Sequence, residues 1–65
     1  MNTVIQRAID IAGSQTELAR RIGTDQSSVS KWLNGSEISS RFILAIVTAT
    51  GGEISAYEIL KSLQK

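Results

Sequence analysis

The sequence predicts an all-α domain of five short helices, and three observations carry that expectation. Apolar residues recur at helical spacing in successive stretches, a residue suited to capping a helix stands before four of them, and glycine closes most of them. In the first stretch Val4, Ile5, Ala8, Ile9 and Ala12 are apolar while Thr3, Gln6, Arg7 and Asp10 are polar, which splits at about 100° per residue into an amphipathic helix ending at Gly13. Ser14 followed by Glu17 has the spacing of a capping box, in which hydroxyl and carboxylate each satisfy a backbone N–H left free at a helix start. Helix two is thus expected from Gln15 to Ile22, with Leu18, Ala19 and Ile22 inward and Gly23 ending it in a left-handed conformation.

Thr24 or Asp25 can cap helix three, expected over Gln26 to Leu33 and stopped by Asn34-Gly35. On its wheel Val29, Trp32 and Leu33 gather on one side, while Gln26, Ser27, Ser30, Lys31 and Asn34 fill an arc of roughly 140° on the other. Ser39 is placed to cap helix four, with Ile38 and Ile43 at the spacing of a hydrophobic staple, and Gly51-Gly52 closes it. The β-branched content of Phe42 to Thr50 would also suit a buried strand; the cap, the staple and the length favour helix. Ser55 with Glu58 repeats the capping box, Ile54 with Ile59 repeats the staple, and Ala56, Ile59, Leu60 and Leu63 line one face of helix five.

At 65 residues, with no internal repeat and no linker-like segment, the chain reads as a single domain over 1–65, near the size where one core is only marginally stabilising. The absence of cysteine and histidine removes disulfides, thiolate metal sites and the commonest metal ligand and general base, so neither an enzyme nor a metal or other cofactor is expected. Asp10, Glu17 and Asp25 fall on separate elements without a catalytic partner motif, and no small-molecule substrate is expected. The start Met1-Asn2-Thr3-Val4 has no secretion-signal pattern, and the longest apolar run, Phe42 to Val47, is far short of the roughly 20 residues that span a bilayer, so a cytoplasmic protein without membrane contact is expected. Net charge is only +1, with acidic and basic residues interspersed, so any electrostatic footprint has to be assembled by the fold.

Function is carried by Gln15 to Asn34. A helix-turn-helix needs a small residue where its helices cross, a sharp turn, and apolar anchors behind the second helix. Ala19, Gly23, Val29 and Leu33 meet those needs, and the polar outer stripe of helix three meets the chemical one. Gln15 to Gly35 resembles the helix-turn-helix of the lambda-type phage repressors and Cro proteins, and Leu44 to Gly52 is similar to the region after that motif in small all-helical Cro proteins. The resemblance covers about a third of the chain closely and extends loosely over the five-helix order of a lambda-repressor-like domain. It implies a dimeric transcriptional repressor reading a near-palindromic double-stranded DNA operator. The larger repressors carry a separate dimerisation domain, for which this chain has no room, so dimer contacts are expected within this domain.

Within the resemblance Gln15 matches a position whose amide holds a phosphate, which suits an amide beside free N–H groups at a helix start. Gln26 falls where the family places a glutamine that reads adenine, and a carboxamide can both accept from N6–H and donate to N7. Ser27, Ser30 and Lys31 continue the base-facing stripe, with Lys31 able to reach guanine or a phosphate; each would otherwise be an ordinary solvated side chain. Asn34 matches a backbone-contacting position and would also suit a left-handed helix end. Ser28 points sideways, as a packing or phosphate-facing hydroxyl. Arg20 and Arg21 lie on the outer side of helix two and Arg41 in the first turn of helix four, with Arg20 and Arg41 taken as further phosphate contacts and solubility as the plainer role. Trp32 could stack on a base, but its place beside Val29 and Leu33 favours the core.

Helix four is apolar around more than half its circumference, wider than a surface helix needs, and two recognition helices could engage half-sites about 34 Å apart. A homodimer through Phe42, Ile46, Tyr57, Leu60 and Leu63 is therefore expected, although the same residues would also serve as core. The competing expectation is an antitoxin-like or accessory module that uses this fold to bind a protein, favoured by the modest charge and the apolar helix four.

Overall fold

Four of the five helices begin at a side chain that accepts from their first free N–H groups, and this fixes their starts. The computed structural model describes residues 1–63 and contains α1 (Thr3–Ala12), α2 (Gln15–Ile22), α3 (Gln26–Leu33), α4 (Ser40–Ala49) and α5 (Ala56–Ser62), with no strand among the described residues. Phe42 to Thr50 is thus helical up to its last residue, as cap position and length required. Asp25, not Thr24, caps α3.

Three local expectations are corrected. Glu17 does not complete a capping box: Ser14 Oγ accepts from Glu17 N at 3.0 Å, but the Glu17 carboxylate turns to Arg20 and Arg21, whose charge outcompetes a neutral N–H. The full reciprocal box forms only at Ser55 and Glu58. Ser39 occupies the cap position of α4, but its side chain accepts no cap hydrogen bond; the staple residues Ile38 and Ile43 are both buried, so apolar packing sets this entry. Asn34 keeps φ −82°, and the left-handed residue after α3 is Gly35 at φ +105°, where a side chain would be strained.

The core is drawn from every helix and two loops: Ile5, Ala8, Ile9 and Ala12 of α1, Leu18 and Ala19 of α2, Val29 and Trp32 of α3, Ile43 and Ile46 of α4, Ile59 of α5, and Ile38 and Ile54 between helices. The α2–α3 contact is the most extensive in the fold, and Ala19, buried within α2, provides the small surface that a close crossing needs. Helix α5 packs against α1 and α4, and only Ile59 of its expected apolar face is buried. Leu60 is the departure: it is 50% exposed and lines a surface groove together with Glu37, Ile38, Ser39, Ser40, Ile43 and Leu63.

Polar latches join the chain ends to this core. Asn2 N donates to Leu33 O at 2.7 Å, its Oδ1 caps α1 through Val4 N and Ile5 N, and its Nδ2 donates to Ser62 Oγ at 3.1 Å. Arg7 Nη1 reaches Glu58 Oε1 at 3.0 Å, a second link between α1 and α5. No described helix is long and apolar enough to cross a membrane.

Candidate nucleic-acid interface

The starts of α2 and α3 come together at one place on the surface. Gln15 is the first residue of α2 and Gln26 the first of α3, and Gln26 Nε2 donates to Gln15 Oε1 at 2.6 Å. This bond uses one of the two Gln26 amide protons and leaves the other proton and the Oε1 acceptor of this exposed residue free. The Gln15 amide retains both its protons. Beneath them Asp25 Oδ1 accepts from Ser28 N at 2.8 Å and from Ser28 Oγ at 2.9 Å, which pins the first turn of α3. Those bonds, with Lys31 nearby, hold the Asp25 carboxyl below its ordinary range.

From that start the stripe runs along α3 as its wheel requires. Ser27, Lys31 and Asn34 are exposed and Ser30 is half-buried, while Val29 and Trp32 on the reverse side are buried. The carbonyls at the end of the helix are satisfied locally: Asn34 N donates to Ser30 O and Lys31 O, Gly35 N to Trp32 O, and Ser36 N to Lys31 O. Leu33 O takes the Asn2 N–H already described, so the last turn of α3 is held from outside the motif. Asn2 carried no periodic or motif signal; a cap-type residue directly before the first apolar repeat was the one clue to it.

The remaining candidates are distributed differently. Ser28 spends its hydroxyl proton on Asp25, leaving only its oxygen as an acceptor, which does not favour a phosphate. Arg20 is bidentate to Glu17, Nε to Oε1 at 2.9 Å and Nη2 to Oε2 at 2.6 Å, and the structure does not tie it to the Gln15–Gln26 pair. Arg21 shares the same carboxylate at 2.8 Å and extends Nη1 to Ala49 O at the end of α4, 3.3 Å away. Two hydrogen-bonded guanidinium groups, Arg20 first and Arg21 second, lower the Glu17 carboxyl from 4.5 to about 2. Arg41 lies in the first turn of α4 with its guanidinium carbon 4.7 Å from the Phe42 ring centroid.

The expected dimer face is not one surface. Ile46 is 0% exposed and belongs to the core, so it offers no surface to a second subunit. Phe42 and Leu63 are half-buried against the core, whereas Tyr57 is 69% exposed. Leu44, outside the candidate set, is also 69% exposed. The row Ser40, Leu44, Thr48, one turn apart and polar at both ends, is the sequence signal that would have placed it outward.

Among the described residues no group of three His, Cys, Asp or Glu side chains could hold a metal ion. No curated protein and no solved structure matches the chain. A family model described as the bacterial toxin YdaS matches residues 5–63, from within α1 to the end of α5. With most of α1 and the whole of α2 to α5 inside the matched span, the chain belongs to the family of the bacterial toxin YdaS.

Proposed function

We propose that this protein is a sequence-specific, double-stranded-DNA-binding regulator of Cro type, a small transcriptional repressor acting as a homodimer on a pseudo-palindromic operator. The observation that carries the reading is the Gln15–Gln26 hydrogen bond, which holds a carboxamide at the tip of an outward helix with one donor and one acceptor free. That pair matches the N6–H and N7 edge of adenine in the major groove, and the neighbouring Gln15 amide suits a phosphate. Ser27, Ser30 and Lys31 extend the base-facing edge, and Asn34 and Arg41 flank it toward the phosphates. Arg20 and Ser28 are the weakest of the original phosphate assignments, since each is engaged within the fold. The function is binding, without catalysis, cofactor or small-molecule substrate, and the place of action is the bacterial cytoplasm or nucleoid.

Footprinting on DNA flanking the encoding gene, repeated at several salt concentrations, tests this. Paired protected half-sites and affinity that falls steeply with salt are expected. Absence of any protected site would remove the reading.

A second reading has its own support. Leu44, Tyr57 and Leu60 expose apolar surface, and the family is described as a toxin, so an antitoxin-like or accessory module binding a protein through α4 and α5 would use surface to which the DNA reading assigns no base contact. Loss of that binding on Leu44→Ser, with DNA protection unchanged, would separate the two surfaces.

A further inference from the structure

Phe42 stands between the back of α3 and a cation. Its ring packs against the buried Trp32 ring with centroids 5.3 Å apart and planes at 52°, and the Arg41 guanidinium lies over the same ring at 4.7 Å. Arg41 is therefore linked, through the Phe42 ring, to the reverse side of α3. Both contacts already engage the Phe42 ring, which argues against its use in a dimer.

Arg41 differs from every other arginine of the chain. Arg7 pairs with Glu58, and Arg20 and Arg21 share Glu17, so those three charges are offset by carboxylates. Among the described residues no carboxylate lies within salt-bridge distance of Arg41. A guanidinium over a ring keeps its full charge and N–H donors free for a further partner, and its planar fork fits a phosphate. Six residues, Asn34 to Ser39, separate the end of α3 from α4, so Arg41 is tethered close to the helix whose reverse side the Phe42 ring touches.

We infer that Phe42 is a positioning residue for DNA binding: it holds the Arg41 guanidinium beside the recognition helix as a clamp on a phosphate flanking the major groove. The inference rests on the DNA reading above. Because a phosphate contact is blind to sequence, it is measurable on any duplex.

The experiment uses the whole chain, a fluorescently labelled mixed-sequence duplex, and anisotropy titrations over a range of KCl concentrations. Arg41→Ala should weaken binding and lower the slope of log affinity against log salt by about one. Phe42→Leu, which keeps an apolar side chain but no ring face, should lose about 2–5-fold, the scale of an exposed cation–π contact. Arg41→Lys keeps the charge and loses the planar stack, and a comparable loss is expected from it; this surface variant serves if Phe42→Leu fails to fold. The double variant should bind as Arg41→Ala alone, since the ring then has no cation to hold. In the free protein the Arg41 Hδ protons should show an upfield ring-current shift in NMR spectra that Phe42→Leu abolishes. Independent, multiplying losses, an Arg41→Lys variant equal to wild type, or an absent ring-current shift would each overturn the clamp while leaving DNA binding intact. Failure of the wild type to bind any duplex would overturn both readings together.

Discussion

Helices α2 and α3 present polar side chains that are already bonded to one another, whereas α4 and α5 present apolar side chains that no described residue covers. At the first surface Gln26 is fixed by Gln15, Ser28 by Asp25, and both helices start on capped turns. At the second Leu44, Tyr57 and Leu60 face outward, and α4 starts without a side-chain cap. Preorganised polar groups cost little further ordering when they meet a ligand of matching geometry, which is the physical advantage of a reading head. Exposed leucines gain by being covered, whatever covers them. One small core supports both surfaces, and the comparison teaches that they should respond to different substitutions.

The largest effect should come from the core that joins them. Ile59 is the one fully buried side chain of α5, and Ile59→Ala should cost about 2–5 kcal/mol in urea unfolding. A domain of this length holds roughly 3–10 kcal/mol in total, so the variant should be largely unfolded near body temperature. A loss below about 1 kcal/mol would mean that α5 is an appendage and that the two surfaces do not share a core.

Next comes the proposed reading surface of α2 and α3 alone. Gln26→Ala removes an exposed carboxamide, so stability should stay within about 0.5 kcal/mol. Affinity for the preferred site should fall by about 1–3 kcal/mol with nonspecific binding nearly unchanged. Equal losses on every sequence would contradict base reading. Gln15→Ala should produce part of the same loss, because it frees Gln26 from its hydrogen-bond partner.

The two surfaces were not equally legible in the sequence. Those of α2 and α3 are written locally: cap, glycine and polar stripe lie within one stretch. The Gln15–Gln26 bond was not legible, because side chains eleven positions apart meet only through the angle at which two helices cross. On α4 the pattern was wide enough to hide which apolar residue faces inward. Ile46 became core and Leu44 became surface because of where α2 and α5 pack on the helix, a tertiary fact that periodicity cannot supply. The Ser39 cap failed for a related reason: Ile38 and Ile43 decide the entry, and the hydroxyl is left over.

A smaller effect should sharpen the second surface. Leu60 is half-exposed, so Leu60→Ser should change stability by about 1 kcal/mol or less. If α4 and α5 form the dimer contact, the same change should shift sedimentation toward monomer and lower operator affinity, while binding to one isolated half-site stays constant. Unchanged sedimentation would direct the dimer contact elsewhere.

The smallest effect concerns charge on the outer side of α2, where solvent screens it. Glu17 is held at about 2 by Arg20 and Arg21, below its ordinary 4.5. Because the folded value lies below the unfolded one, folding favours the ionised carboxylate; its contribution is complete above about 4.5 and is lost as pH falls toward 2. Asp25 and Glu58 are lowered for the same kind of reason, by bonds from Ser28 and from Ser55 and Arg7, so the wild type should lose melting temperature through this window at several sites together. Glu17→Gln should melt slightly below wild type at neutral pH and converge with it near pH 2, and added salt should narrow the neutral-pH gap. A gap that stayed constant from neutral pH to pH 2 would assign the Glu17 contribution to packing along α2 and would leave the two arginines free to act on other partners.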